Sequence, residues 1–357
     1  MGVIACANAV FAFALSRWCR APVAIGVAVF CYFATTQRFM AQMRDRPRPR
    51  WITRGIDEPL FAHFGATVFA LLVTPASALF ALGGGVPWWR ISAGYAYLFG
   101  LALSVWAIWV ERRFVRIREL NVAIADLPEQ FVGYRVAQLS DLHLGSFDPK
   151  ARVLQWVALC NALAPDLAVV TGDLVTSGSD FYADVAEAIA ALRAKDGVFV
   201  AMGNHDQANN DELTRRINER GPVVLRNAAR IIQRRGAQLT IAGIDGRLAS
   251  PGDVTRTLKA CVTPGPIILL SHYPWTFAAA AAAGADLVLS GHTHGGQLGI
   301  PFLGQRYNLA RLSGQRSRGW VHLGKAAMYV NAGLGTTGPP MRLGVPPEIA
   351  LITLRRA

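Results

Sequence analysis

Long uncharged apolar runs dominate the first 110 residues of the chain and are missing from the remainder. They are Val3 to Leu15, Ala21 to Thr36, Pro59 to Val86 and Ile91 to Val110. A membrane-spanning helix needs about 20 mostly apolar residues, so the last two runs are long enough and the first two are short. From residue 119 onward, short apolar runs alternate with helical periodicity, which is typical of α/β layers. The pattern predicts an all-α transmembrane region over residues 1–118, with about four hydrophobic helices, and an α/β domain over residues 119–357.

The two short runs leave the number of membrane crossings before residue 37 open. Arg17 and Arg20 separate these runs, and they fit either two short or tilted helices in a hairpin or one longer span with an interfacial segment. The following stretch, Arg38 to Glu58, carries six arginines and is predicted to be an extended basic loop outside the bilayer. Gly83-Gly84-Gly85 predicts the end of a helix between the last two spans.

Nine short apolar runs predict the strands of the α/β domain, and helical stretches lie between several of them. The predicted strands are Val122 to Ala125, Tyr134 to Leu139, Leu167 to Val170, Val198 to Ala201, Leu239 to Ile244, Ile267 to Leu270, Asp286 to Leu289, Met328 to Val330 and Ile349 to Leu354. The predicted helices are Pro149 to Leu163, Asp180 to Arg193, Glu212 to Arg220 and Ala278 to Ala283.

The positive charge of the chain is concentrated beside its apolar runs. The net charge is +13, and the first 120 residues contain 13 of the 36 Lys and Arg but 5 of the 23 Asp and Glu. Bands of arginine beside apolar segments indicate membrane topology rather than nucleic-acid binding, which is not expected. The arginines around the last two spans place residues after 111 on the cytoplasmic side by the positive-inside rule. The sequence thus predicts an integral protein of a bacterial-type inner or plasma membrane with a cytoplasmic catalytic domain.

Polar motifs follow five of the predicted strands at the point where each strand ends. They are Asp141-Leu142-His143, Gly172-Asp173, Gly203-Asn204-His205-Asp206, Ser271-His272 and Gly291-His292-Thr293-His294. Functional side chains concentrate on loops that a rigid sheet positions. Carboxylate and amide oxygens with imidazole nitrogens, and no thiolate, suit a divalent cation such as Mn, Zn or Fe. Two ions need a shared ligand, and Asp173, near the middle of the series, is the predicted bridge.

The order and spacing of these five motifs resemble the calcineurin-like metallophosphoesterase superfamily. The extended motif Gly291 to Gln297 and the segment Gly333 to Glu348 are similar to its membrane-anchored branch, whose members carry N-terminal transmembrane segments. This resemblance implies a two-sheet α/β sandwich with two divalent metal ions at the strand ends. It implies that Asp141, His143 and His294 hold the first ion, that Asn204, His272 and His292 hold the second, and that Asp173 bridges them. His205 would stay off the metals and face the substrate, with Asp206 beside it.

The chemistry expected of such a site is phosphoester hydrolysis by metal-activated hydroxide. The substrate would be a mono-, di- or pyrophosphate ester, and a lipid-linked head group is one candidate because the domain follows a membrane span. His205 would then act as general acid, whereas Asp206 either orients it or is a loop residue. The alternatives are a membrane transport or sensor module regulated by a metal-binding domain, and a metal-binding scaffold without turnover. Metal chemistry does not account for Gly295-Gly296-Gln297, for which we hypothesise close approach of the substrate.

Overall fold

Two compact units divide the chain. The first contains Met1–Arg113 and Gly338–Leu343, and the second contains Phe114–Thr337 and Gly344–Ala357. The structure is a computed structural model, and it describes every residue except 44–45, 81–84, 247–249, 262–263, 302, 304–306 and 313–316.

The first unit is helical, as the apolar runs predict. Its helices are α1 (Gly2–Leu15), α2 (Ala21–Gln42), α3 (Arg50–Ile52), α4 (Glu58–Phe80) and α5 (Gly85–Trp109). Within the described residues, three segments are long and apolar enough to cross a membrane, namely Ala21–Gln42, Arg50–Ala76 and Val86–Arg113. With 14 residues, α1 would extend only about 21 Å at 1.5 Å per residue. The predicted helix end at Gly83-Gly84 lies outside the described residues, and α5 begins at Gly85.

The prediction of an extended loop from Arg38 to Glu58 is wrong for most of that stretch. Helix α2 continues to Gln42, and α3 runs through a π-helical turn, Thr53–Asp57, into α4. Asp57 is fully buried, accepts a hydrogen bond from Arg48 at 2.6 Å and lies 3.4 Å from Arg38 Nε. The arginines that suggested a solvated loop therefore include two that pair with a buried carboxylate.

The second unit consists of two six-stranded sheets with helices. Its strands are β1 (Arg116–Ile124), β2 (Arg135–Leu139), β3 (Leu167–Thr171), β4 (Val198–Ala201), β5 (Val223–Val224), β6 (Ala228–Arg234), β7 (Ala237–Gly243), β8 (Ile267–Leu270), β9 (Leu287–Ser290), β10 (Gly319–Leu323), β11 (Ala326–Val330) and β12 (Glu348–Arg356). Its helices are α6 (Lys150–Ala162), α7 (Tyr182–Ala190), α8 (Asn210–Asn218), α9 (Pro251–Ala260), α10 (Phe277–Ala282) and α11 (Leu309–Leu312).

The strand order places the central strands of each sheet in parallel. One sheet has the order β1-β12-β2-β3-β4-β5, and the other has the order β10-β11-β9-β8-β7-β6. Strands β2, β3, β4 and β5 are parallel to one another, as are β7, β8, β9 and β11. Parallel strands end at the same edge of a sheet. The motifs that follow β2, β3 and β4 therefore share one edge of the first sheet, and those that follow β8 and β9 share one edge of the second. The predicted two-sheet α/β fold is confirmed.

A continuous apolar layer fills the space between the two sheets. It draws fully buried side chains from both sheets, among them Val136, Val169, Ile241, Leu289 and Ile352. Two further clusters lie under the helices on the outer faces. Burial on both faces explains why the central strands read as unbroken apolar runs in the sequence.

The nine predicted strands are all present, but the sequence missed β5, β6 and β10. Strand β5 has only two residues. Strand β6 lies at a sheet edge and carries two arginines, and its Arg230, Ile231 and Gln233 are exposed. Edge strands often carry charge because it discourages pairing with another chain. Helix α9 was also missed, although the capping box formed by Ser250 and Asp253 was a readable signal.

Substitution of Glu348 tests how much the hydrogen bonds between the two sheets stabilise the fold. Its buried carboxylate accepts hydrogen bonds from the Tyr329 hydroxyl on β11 at 2.9 Å and from the Ala332 amide at 3.1 Å. We expect Glu348→Ala to lower the free energy of unfolding by about 2–4 kcal/mol, because it leaves both donors buried and unpaired. Urea unfolding of the detergent-solubilised chain, followed by tryptophan fluorescence, measures this.

The matched control is Glu129→Ala. Glu129 is 79% exposed and lies 3.9 Å from Arg356, so its removal should change the free energy by no more than about 0.5 kcal/mol. Equal effects of the two substitutions would show that the Glu348 hydrogen bonds do not stabilise the fold.

Candidate metal centre

The backbone at the strand ends turns sharply at the predicted ligand positions. Among the described residues, five of the predicted site residues have a positive φ of 44° to 71°, namely Asp141, His143, Asp173, His292 and His294. Left-handed conformations are uncommon outside glycine and cost free energy. Their concentration here indicates that the fold maintains strain in order to aim these side chains.

Four side chains meet in a first cluster, which draws on both sheets. One donor atom from each of Asp141, His143, Asp173 and His294 lies within 4.8 Å of the others, and all four residues are buried. The Nε2 atoms of His143 and His294 are 3.0 Å apart. Asp141 Oδ1 lies 3.4 Å from His294 Nε2, and Asp173 Oδ2 lies 3.5 Å from His143 Nε2.

A second cluster shares Asp173 with the first. Here Asp173 Oδ2 lies 3.2 Å from His272 Nε2, and His272 Nε2 lies 3.2 Å from His292 Nδ1. The His272 Nδ1–H donates to the Thr171 carbonyl at 2.8 Å. A carbonyl only accepts, so this bond turns Nε2 toward the centre, as the outer hydrogen bond of a metal-ligating histidine does.

Backbone amides hold the two carboxylates in place. Both Asp141 oxygens accept from the His292 amide, at 3.0 and 3.2 Å, and Asp173 Oδ1 accepts from the His205 amide at 3.0 Å. A Cβ atom at Gly203 would overlap the Asp173 carboxylate. This close approach explains why glycine begins the Gly203-Asn204-His205-Asp206 motif.

The electrostatics of the centre favour a bound cation. Burial lowers the pKa of His143 to about 3 and that of His292 to about 4, so both rings are neutral near pH 7. Burial opposes a charge on His272 too, but the Asp173 carboxylate outweighs it and raises the pKa of His272 to about 9. Burial would raise the pKa of Asp173, yet the charge of His272 holds it well below its usual range. A cation between Asp173 and His272 would displace the His272 proton, as expected when metal binding is coupled to deprotonation.

The donor set fits divalent metal ions. Imidazole nitrogens and carboxylate oxygens converge from both sheets, with the Nε2 atoms of His143 and His294 3.0 Å apart and Asp173 Oδ2 3.5 Å from His143 Nε2. Both atom types are ligands that divalent first-row metals accept. The buried Nδ1 of His143 has no hydrogen-bond partner among the described residues. The five motifs thus lie together at the strand ends of the two sheets, and six of the seven predicted ligands belong to the two clusters.

The seventh predicted ligand, Asn204, lies in the turn after β4 with its side chain exposed. His205 follows it and is half-buried, and its ring packs edge-on against His143 with centroids 4.7 Å apart. His205 Nδ1 lies 2.5 Å from the Thr176 carbonyl and donates to it. Sequence reasoning missed Thr176, because it acts through the main chain and its residue type gives no signal.

Asp206 forms hydrogen bonds with the backbone rather than with the His205 ring. Its buried carboxylate accepts from the amides of Gly203 at 2.8 Å, Leu174 at 2.8 Å and Val175 at 3.3 Å. Burial raises the pKa of Asp206 to about 6. These bonds favour the alternative in which Asp206 is a structural loop residue that joins the turns after β3 and β4.

The Gly295-Gly296-Gln297 segment packs against other loops of the second unit. A Cβ atom at Gly296 would overlap the Asn308 side chain. The Gln297 side chain donates to the Thr337 carbonyl at 2.9 Å and accepts from the Thr337 amide at 3.0 Å. Just before Thr337, Gly335 donates to the Asp141 carbonyl at 2.7 Å. These contacts give the segment a packing role that needs no substrate, because they tie the His294 turn to the Asp141 turn.

Comparison with known proteins identifies the family. The calcineurin-like phosphoesterase family model matches residues 134–296. An uncharacterized metallophosphoesterase of Aquifex aeolicus is 32% identical over 257 residues, which cover 69% of this chain and 94% of that protein. The chain therefore belongs to the calcineurin-like metallophosphoesterases, and the family inferred from the motifs is confirmed.

The names of two further relatives mention a transmembrane protein and a diacylated substrate. A transmembrane protein with metallophosphoesterase domain from Danio rerio is 33% identical over 280 residues, covering 73% of this chain and 62% of that protein. The match thus spans less than two thirds of the Danio rerio relative. The UDP-2,3-diacylglucosamine pyrophosphatase LpxG of Chlamydia trachomatis is 27% identical over 305 residues, covering 70% and 92% of the two chains.

The shared position of Asp173 predicts a graded loss of metal. We expect His143→Ala and His292→Ala each to remove about one ion per chain, and Asp173→Ala to remove both, because Asp173 lies in both clusters. Elemental analysis of the dialysed full-length protein measures the stoichiometry.

His322→Ala is the control for this series, because His322 is exposed on β10 and outside both clusters. It should retain the full metal content. If Asp173→Ala loses no more metal than His292→Ala, Asp173 does not bridge two ions.

Proposed function

We propose that the protein is a membrane-anchored phosphoesterase in which two divalent cations promote hydrolysis of a phosphoester. The observation that carries this proposal is the position of the Asp173 carboxylate between the His143 and His272 nitrogens of the two clusters. In this proposal, residues 119–357 catalyse the reaction and residues 1–118 anchor them. The metal is Mn, Zn or Fe, since each accepts imidazole and carboxylate donors.

The residues of the centre have separate tasks in this reaction. When bound, two cations supply an activated water and polarise the phosphoryl oxygen. Asp141, His143 and His294 would hold the first ion, and His272 and His292 would hold the second together with Asn204, which lies outside the second cluster. Asp173, which belongs to both clusters, would be shared by the two ions. His205 Nδ1–H donates to the Thr176 carbonyl, so Nε2 would donate a proton to the departing oxygen from the doubly protonated ring, which would then become neutral.

The role of His205 can be separated from metal binding by the choice of leaving group. We expect His205→Gln to lower kcat about 10²- to 10⁴-fold on an alkyl phosphodiester, because the alkoxide needs a proton when it leaves. On a p-nitrophenyl diester the loss should be much smaller, since p-nitrophenolate leaves without protonation. Steady-state kinetics with both esters, alongside metal analysis, measure this. An equal loss on both esters, or loss of metal, would contradict the role of general acid.

The substrate proposed here is a phosphate or pyrophosphate ester of a lipid head group. Two observations support it. The described residues include three helices of membrane-crossing length, and the Chlamydia trachomatis relative is named a pyrophosphatase of a diacylated sugar nucleotide. The arginine distribution favours a catalytic domain at the cytoplasmic face of a bacterial-type inner or plasma membrane.

Vesicles that contain a lipid pyrophosphate provide the substrate test. We expect the reconstituted chain to release water-soluble product from these vesicles with kcat/KM about 10-fold or more above that for a soluble diester, because the anchor keeps the enzyme and lipid on one surface. Product release is measured by phosphate chromatography, with Asp173→Ala as the inactive control. Turnover of soluble esters without turnover of lipid would reject the lipid substrate and leave the phosphoesterase proposal standing.

A further inference from the structure

An aromatic pair that the sequence motifs did not include lies beside the metal centre. The rings of Tyr273 and Trp275 stack with centroids 4.3 Å apart and an interplanar angle of 22°. Trp275 also meets the His292 ring edge-on, with centroids 5.1 Å apart, and Tyr273 lies 5.0 Å from the same ring. We call these two residues the Tyr273–Trp275 stack.

The two members of the stack differ in exposure. Tyr273 is 7% exposed, whereas Trp275 is 57% exposed. Because Tyr273 covers one side of the indole, the exposed area of Trp275 includes the side that faces away from Tyr273. The exposed indole lies next to the buried second cluster, with its ring centroid 5.1 Å from that of His292. It is a surface on which another planar ring can stack.

The turn that carries Trp275 is held in place before any ligand binds. Trp275 lies in a 3₁₀ turn, Pro274–Thr276, in which the buried Thr276 hydroxyl donates to the Tyr273 carbonyl at 2.8 Å. Ser271 is buried beneath it, with its hydroxyl 2.9 Å from that of Thr276. The Tyr273 hydroxyl donates to the Gly246 carbonyl at 2.8 Å. A ligand that stacks here therefore loses little affinity to ordering of the turn.

We propose that Trp275 is a stacking platform for a planar heteroaromatic ring attached to the substrate phosphate. The preferred ligands are then phosphoesters that carry such a ring, a lipid head group linked to a nucleotide among them. The proposal rests on the proposed function, because the metal centre must bind the phosphate group. His292 belongs to the second cluster and touches the indole, so a phosphate held there brings its substituent toward Trp275. An aromatic platform binds any base through its π face, which gives affinity without strong discrimination among bases.

The experiment compares adenosine 5′-monophosphate with ribose 5-phosphate, which share the phosphate and the sugar and differ by the base. Binding is measured by calorimetry on the full-length, Mn²⁺-loaded protein in a His205→Gln background that suppresses turnover. We expect the nucleotide to bind about 5- to 100-fold more tightly, as stacking on one aromatic ring implies. Trp275→Ala should abolish this ratio and leave the affinity for ribose 5-phosphate unchanged.

Three variants separate stacking from general apolar contact and from misfolding. Trp275→Phe should retain most of the ratio, whereas Trp275→Leu should lose most of it, because leucine is apolar but has no π face. Leu323→Ala is the matched control and should change neither affinity. Leu323 is 50% exposed and lies at the end of β10, where it pairs with Ala326 at the start of β11. The other end of β11 pairs with the end of β9, next to the His292 turn, so Leu323 lies at the end of β11 away from the metal centre.

The outcomes distinguish the platform from the phosphoesterase proposal. Equal affinity for the two ligands in the parent protein overturns the platform alone. A larger Trp275-dependent gain for butyl phosphate than for the nucleotide shows an aliphatic subsite and also overturns it. If neither phosphate ester binds, both proposals are overturned. If the protein prefers the nucleotide through Trp275 but hydrolyses no ester, the platform stands and the phosphoesterase proposal is overturned.

Discussion

The buried carboxylate of Asp173, with imidazole nitrogens from both clusters within 3.5 Å, is the constraint on which the site depends. A carboxylate removed from water needs compensating donors or cations, or it becomes protonated. The His205 amide and the charge on His272 provide that compensation, and a bound cation would take the place of the His272 proton. The glycine at position 203 is required for the same reason, since a side chain there would occupy the space of the carboxylate.

The backbone around this carboxylate is strained. Five residues of the two clusters have left-handed backbone conformations, which cost about 1–3 kcal/mol each and persist only where surrounding structure determines them. Buried hydrogen bonds at the strand ends supply part of that determination. Asp206 joins the turns after β3 and β4, and Gln297 ties the turn after β9 to the loop that meets Asp141. Loop residues outside both clusters thus hold the geometry of the residues inside them.

The sequence predicted the elements whose residue pattern follows from burial alone. It predicted less well the elements in which edge position or ion pairing also determines the pattern. Central strands such as β3 were readable because both of their faces are buried, whereas β6 has an edge position and exposed side chains that break the apolar pattern. The Asp and His side chains of the two clusters could be predicted to lie together, because parallel strands bring the loops that follow them to the same edge of a sheet. Thr176 was missed and the two alternatives for Asp206 stayed open, since their hydrogen bonds involve main-chain groups whose position only the folded chain determines. The helical stretch after Arg48 was missed because the pairing with buried Asp57 is not visible in composition.

Because the first cluster draws its ligands from distant parts of the chain, its assembly belongs to a late stage of folding. His143 and His294 are 151 positions apart and come from different sheets. The entropy of closing so long a loop must be offset by sheet packing before these rings can meet. An ion that binds the assembled cluster and not the open chain adds its binding free energy to the folded form. A metal ion would therefore stabilise only those chains whose two sheets have already packed together, because a chain with separated sheets has no assembled cluster for the ion to bind.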